Sequence, residues 1–204
     1  MTWEGGVFER AQLTMQDWSL FDAEGHRKYL TPKERRAFLR AAGRQSPEVE
    51  TFARVLCETG CRLSEALGLT GGRIDAGAGL IVFESLKKRR SGVHRAVPVS
   101  EVLIARLVEV HALKDGQLED NQLWPWCRMT GYRRILDVMK VAHIIGLHAT
   151  PKGLRHGFAI AALEKGVPLT LVQKWLGHAS LSTTAIYLNA VGAEERKIAS
   201  RLWS

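Results

Sequence analysis

Three side chains suited to chemistry at a phosphate fall in order along residues 150–188: an arginine at 155, a histidine 23 positions later at 178, and a tyrosine nine positions beyond that at 187. A guanidinium offers parallel donors to two nonbridging oxygens and stays charged at physiological pH. An imidazole can donate to the same oxygens or help shift a proton. A phenol can act as a nucleophile and take the phosphorus into a covalent ester. Each residue also has an ordinary reading. Arg155 adjoins Leu154 on an apolar helical face and, taken alone, reads as a surface arginine laying its stem over hydrocarbon, while Tyr187 alone reads as a half-buried core tyrosine.

The elements that must position them can be read locally. Thr150-Pro151 opens a helix, the threonine as cap and the proline in the first turn, with Leu154, Phe158, Ala161 and Ala162 as its apolar face. Gly166 ends that helix. Pro168 opens the next, which carries Leu171, Val172, Trp175 and Leu176 at helical spacing until Gly177 stops it, and His178 follows at once. The polar run 180–184 then opens a third, short helix holding Tyr187.

LRHGFA at 154–159 followed by LGHASLSTTAIY at 176–187 resembles the tyrosine recombinase family, also called the phage integrase family. Upstream, Arg62 in CRLSEALGLT (61–70), with Thr59-Gly60 ahead of it, resembles that family's first catalytic arginine segment. On its own Arg62 could equally be a helix-terminal arginine meeting backbone carbonyls. The resemblance spans residues 31–190 and implies an α+β, mainly helical catalytic-domain fold with a small antiparallel β-hairpin or sheet. It implies Tyr187 as nucleophile, Arg62 and Arg155 on the scissile phosphate, and His178 as a further donor to it. In the family a lysine on the hairpin protonates the leaving oxygen; in SLKKRRSGVH (85–94) Lys87 is the first choice and Lys88 the alternative. Neighbouring cations in that run would lower the lysine's pKa and ease the proton's departure. Lys88, Arg89 and Arg90, with Arg95 on the returning strand, are expected on DNA phosphates.

Two departures from the family pattern stand out. Where the HxxR motif has histidine, this chain has Lys152, which can contact the phosphate but is a poor base near neutral pH; His148 lies close in sequence but precedes Pro151 and is off the helix register. Only about 30 residues precede the resemblance, so residues 1–30 are expected to be an extension without the separate DNA-clamping domain of most relatives. The tail, 191–204, is expected to be helical, with Ile198, Leu202 and Trp203 apolar, and to be exchanged between protomers.

The function implied is site-specific recombination of double-stranded DNA by a homo-tetramer on two sites, through a 3′-phosphotyrosyl intermediate, with no cofactor and no metal. Two other readings remain open: a monomeric type IB topoisomerase, and a DNA-binding accessory protein descended from a recombinase.

Composition sets the outer bounds. With 204 residues, 46% of them apolar, the chain can bury one good core, so a single domain is expected. The 29 basic and 21 acidic residues give +8 and a pI near 9.7, favouring a polyanionic partner without naming it. No apolar run reaches the roughly 18 residues of a membrane span and the acidic start is unlike a signal peptide, so a cytoplasmic protein is the expectation. Cys57 and Cys61 read as buried thiols one turn apart on a helix, and Cys127 is isolated, too few ligands for structural zinc.

Elsewhere the pattern predicts helices from Thr31-Pro32 through Ala42, from Ser46-Pro47 to Thr59, from Ser100 to Leu113 with Val102, Leu103, Leu107 and Val110 inward, and from Thr130 to Ala142 with basic Arg133, Arg134 and Lys140. That basic face could lie beside DNA or simply be solvated. Leu80–Glu84 and Arg95–Val99 alternate like paired strands, residues 71–79 read as turn, and Trp124 and Trp126 as packing residues.

Overall fold

The computed structural model describes residues 19–84, 92, 94–113 and 120–190. Helix α1 (Pro32–Ala42) begins with the expected capping box: Glu34 N–H donates to Thr31 Oγ1, and Thr31 N–H donates back to the Glu34 carboxylate at 2.8 Å. Helix α2 (Pro47–Thr59) buries Phe52, Val55 and Leu56 as its period predicts and stops at Gly60, whose φ of 62° is left-handed. Both Cys57 and Cys61 are buried, but Cys61 lies beyond the helix end, so the two do not share a helical face as expected. Arg62 is the N-cap of a short helix, α3 (Leu63–Leu67).

A three-stranded antiparallel sheet follows, in the order β1 (Ile74–Asp75), β2 (Leu80–Glu84), β3 (His94–Pro98). Strand β1 lies in the stretch expected to be turn; two residues are too few to show an alternation, and pairing with Leu80 and Ile81 makes it a strand. In the β2–β3 register Phe83 faces Arg95 and Ile81 faces Val97. The period-two alternation therefore turns Arg95 inward with Val97.

Helix α4 (Glu101–His111) is capped by Ser100, as expected, but Val102 is 67% exposed and Ile104 is buried in its place beside Leu103 and Leu107. Helix α5 (Arg128–Val141) buries Ile135, Val138 and Met139 and leaves Arg133, Arg134 and Lys140 in solvent. Trp124 is fully buried against Phe52, and its indole N–H donates to the Glu48 carbonyl. Trp126 also meets Phe52 edge to face, with ring centroids 5.4 Å apart.

Helix α6 (Pro151–Glu164) is the centre of the molecule. Every residue from Gly153 to Leu163 is buried, so the expected one-sided helix is covered all round. Helix α2 lies against it on one side, and α7 (Leu169–Leu176) and the 3₁₀ turn Ile186–Ala190 on another. Leu154 belongs to the larger core, with Leu30, Phe38, Phe52 and Leu103. Phe158, Ala159, Ile160 and Leu163 build a second core with Leu20, Val172, Leu176 and Tyr187. Between α7 and the 3₁₀ turn runs one turn of helix, α8 (Ser182–Ala185). Among the described residues no helix is long and apolar enough to cross a membrane.

Candidate active site

Two helices aim their C-terminal ends at Arg155. Gly60 closes α2 and Gly177 closes α7, both with left-handed φ (62° and 67°), and the carbonyls exposed at those ends are acceptors that no helical N–H reaches. Arg155 Nη1 donates to the Gly60 carbonyl at 2.7 Å and Nη2 to that of Leu176 at 2.8 Å. Gly60 is required for space as well as for φ, because a Cβ there would lie 2.5 Å from Phe158 Cδ1. The surface reading of Arg155 fails: it is 8% exposed. Burial first, then the charge of Arg62, pushes its pKa down to about 10, which leaves it cationic at neutral pH.

Glu65 organises the second guanidinium. Its carboxylate accepts the Arg62 backbone N–H and Arg62 Nη1, both at 2.7 Å, and with only 1% of its side chain exposed it also takes Arg95 Nη2 at 2.6 Å. Burial alone would raise this carboxyl, but the hydrogen bonds and charge of Arg95, reinforced by Arg62, hold it below the usual range. Arg62 remains about a quarter exposed and is close enough to Arg155 for the two charges to act on each other.

Arg95 is where the phosphate-binding expectation must be corrected. Its guanidinium is bonded twice to Glu65, donates Nε to the Trp175 carbonyl at 2.7 Å, and stacks over Phe83 at 5.0 Å. With 5% of its side chain exposed it ties the sheet to α3 and α7 and does not present itself to a ligand. The strand's alternation carried that signal in the sequence.

His178, placed by the Gly177 turn, has Nδ1 2.9 Å from the Thr184 hydroxyl, and its ring lies nearly parallel to that of Tyr187 with centroids 6.3 Å apart. Burial, then the charges of Arg155 and Arg62, push its pKa down to about 3, so it is neutral at pH 7. Tyr187 is 1% exposed, and burial pushes its phenol up to about 12 against the pull of Arg155 and Arg62. The phenol oxygen does not end in hydrocarbon: it lies 3.0 Å from Nδ1 of His156. His156 was not singled out from the sequence, although its place directly after Arg155 gives it the next direction around α6. Lys152 sits exposed in the first turn of α6, where its charge acts on His156.

His148 faces Glu34 at 3.2 Å, joining the Arg27–Glu34 pair. Lys87, Lys88, Arg89 and Arg90 lie outside the described residues, as do residues 1–18 and the tail 191–204. One described group with metal-binding donors, Asp22, Glu24 and His26, sits in a surface turn in which His26 Nδ1 already meets both carboxylates, at 3.1 and 3.3 Å.

From four separate stretches, then, the fold brings Arg62, Arg155, His178 and Tyr187 into one neighbourhood, with Arg95 and Glu65 behind them. Such a set gathers two guanidiniums, an imidazole and an aromatic hydroxyl, groups whose chemistry suits a phosphodiester anion.

The sequence profile of the Phage integrase family matches residues 28–193. Tyrosine recombinase XerD of Pseudomonas aeruginosa is 33% identical over 162 residues, covering 74% of this chain and 52% of its own. Tyrosine recombinase XerA of Thermococcus kodakarensis is 29% identical over 153 residues, covering 70% and 51%. The chain thus spans about half the length of these curated relatives. A crystal structure of XerA recombinase superposes with a TM-score of 0.70 at 27% identity, covering 85% of this chain and 64% of that one. On the profile, the relatives and the shared fold together, the chain belongs to the phage integrase family of tyrosine recombinases.

Proposed function

We propose that the chain carries the catalytic domain, residues 31–190, of a site-specific recombinase that cuts and rejoins double-stranded DNA through a 3′-phosphotyrosyl intermediate. The observation that carries this is the cluster of Arg62, Arg155 and His178 against one phenol. The two guanidiniums repel each other where burial has weakened the screening, and a phosphate between them would relieve that repulsion.

In the proposed step the Tyr187 oxygen forms a bond to phosphorus as the bond to the 5′ oxygen breaks. Arg62 and Arg155 take up the charge that develops on the nonbridging oxygens, Lys152 adds a contact to the same phosphate, and His178, neutral at pH 7, takes the phenolic proton and can then donate to the phosphate. Lys87, with Lys88 as the alternative, gives a proton to the departing 5′ oxygen. Because one phosphoester replaces another, the bond energy is conserved and rejoining is the reverse of cutting, with no ATP consumed. Lys88, Arg89 and Arg90 would add phosphate contacts. A homo-tetramer on two DNA sites, with tails 191–204 exchanged between protomers, completes the reading; deleting the tail is expected to abolish synapsis.

A duplex nicked next to the cleavage site tests it. Covalent protein–DNA adduct is expected with the intact chain and none with Tyr187→Phe, and an adduct that survives that substitution refutes the assignment. Strand exchange between two duplexes, without relaxation of supercoils by monomer, separates recombination from a topoisomerase; failure to form any adduct favours a DNA-binding accessory role.

A further inference from the structure

A nucleophile must meet its phosphate in line, yet in this structure the phenol of Tyr187 is 1% exposed and directed at a buried imidazole. DNA arrives from solvent, so the resting pose is not the reacting one. Among the described residues, two side-chain hydrogen bonds tie the segment that carries Tyr187 to α6 and to the turn at His178. Thr184, itself fully buried, bonds its hydroxyl to His178 Nδ1 at 2.9 Å, and the phenol bonds to His156 Nδ1 at 3.0 Å. His156 is 5% exposed, its ring centroid is 5.6 Å from that of Tyr187, and its Nε2 is buried with no partner among the described residues. Among the described residues the phenol is the one hydrogen-bond partner of this imidazole. Its helix is the same one that carries Arg155, one residue earlier, so the arginine assigned to the phosphate and the phenol's anchor sit on one element.

We propose that His156 is a positioning residue that holds Tyr187 drawn back into the second core until DNA binding releases it. This rests on Tyr187 being the nucleophile, but what it asserts is a property of the free protein. Residues 182–190 form one turn of α-helix and one 3₁₀ turn, a short element with two side-chain anchors, so exchanging the His156 bond for contacts with a phosphate can swing the phenol outward without unfolding α6.

Acetylation of tyrosines by N-acetylimidazole, located by peptide mass spectrometry on the full chain without DNA, reads the anchor directly. The chain has three tyrosines, and the half-buried Tyr29 and Tyr132 serve as internal references. His156→Phe keeps an aromatic ring but removes the ring nitrogen that meets the phenol, and Tyr187 is expected to label about tenfold faster, the equivalent of one hydrogen bond of about 1.4 kcal/mol. His156→Asn places a polar atom at the δ position and is expected to label within about twofold of the parent chain. Equal labelling of parent and His156→Phe overturns the proposal, and so does equal, fast labelling of both variants, which would mean that packing alone holds the tyrosine. Faster labelling of Tyr29 and Tyr132 would signal a disturbed fold, and His156→Leu then makes the same comparison.

Adduct formation on the nicked duplex is measured alongside. His156→Phe is expected to form adduct at least as fast as the parent, and a hundredfold loss would show that His156 serves the chemical step instead. Labelling as expected with no adduct from any chain refutes the strand-cleavage reading and leaves the anchor standing.

Discussion

Replacing Arg95 by methionine distinguishes a buried structural guanidinium from one that grips DNA. Glu65 accepts two bonds from Arg62 and two from Arg95, and with 1% of its side chain exposed it cannot turn to water when Arg95 is lost. The Trp175 carbonyl loses its donor as well. Removing one partner of a buried ion pair costs about 3–5 kcal/mol, and the two bonds that Arg62 keeps place this case near the lower end, at about 3 kcal/mol. Urea unfolding with a slope of about 2 kcal/mol per molar would then show the midpoint falling by about 1.5 M. The double variant Glu65→Gln/Arg95→Met should lose less than the sum of the single losses, because the two residues share one network. In the same chain the salt dependence of DNA binding should keep its slope, whereas losing one phosphate contact would reduce it by about 0.9. An unchanged midpoint together with a shallower salt slope would refute the reasoning and return Arg95 to the DNA surface.

Three further outcomes follow from the geometry. Gly60→Ala combines a left-handed φ with a Cβ 2.5 Å from Phe158 Cδ1, so a loss of about 3 kcal/mol is expected, lowering Tm by about 6–12 °C in a thermal melt. His156 and His178 have folded pKa values near 3, below the unfolded value of about 6.5, so the unfolded chain binds protons first as pH drops. Their contribution is complete above pH 6.5 and is lost on the way down to 3; His156→Asn should therefore flatten the fall in unfolding free energy between pH 6 and 5 by about 1.2 kcal/mol, and an unchanged slope would contradict the buried neutral state. Burial opposes ionisation of Glu34, but Arg27 and Thr31 outweigh it and depress its pKa to about 2, so its stabilisation is full above the unfolded value of 4.5 and disappears as pH falls through 2. Glu34→Gln should cost on the order of 2 kcal/mol at pH 7 and about 0.4 kcal/mol or less at pH 2, where the carboxyl is half protonated, measured by urea unfolding.

Local chemistry in the chain was enough for most of the framework. Thr31-Pro32 with Glu34, Ser46-Pro47 with Gly60, and Thr150-Pro151 each mark a helix start or stop through backbone groups within four residues, and the structure places α1, α2 and α6 on those marks. The alternation in Leu80–Glu84 gave β2 and the partner segment gave β3, and the spacing of Arg155, His178 and Tyr187 pointed to a family that the profile match bears out. Tertiary structure decided the rest. Ile104 is inside and Val102 outside because the neighbours of α4, not its own period, choose which apolar residue is covered. Glu65 meets Arg95 across 30 residues of chain, and His156 meets Tyr187 across 31. A sequence pattern reports on which way a side chain leaves its own element; what it finds there depends on how separate elements are packed, and that is why the guanidinium partners and the phenol's anchor became visible only in the folded chain.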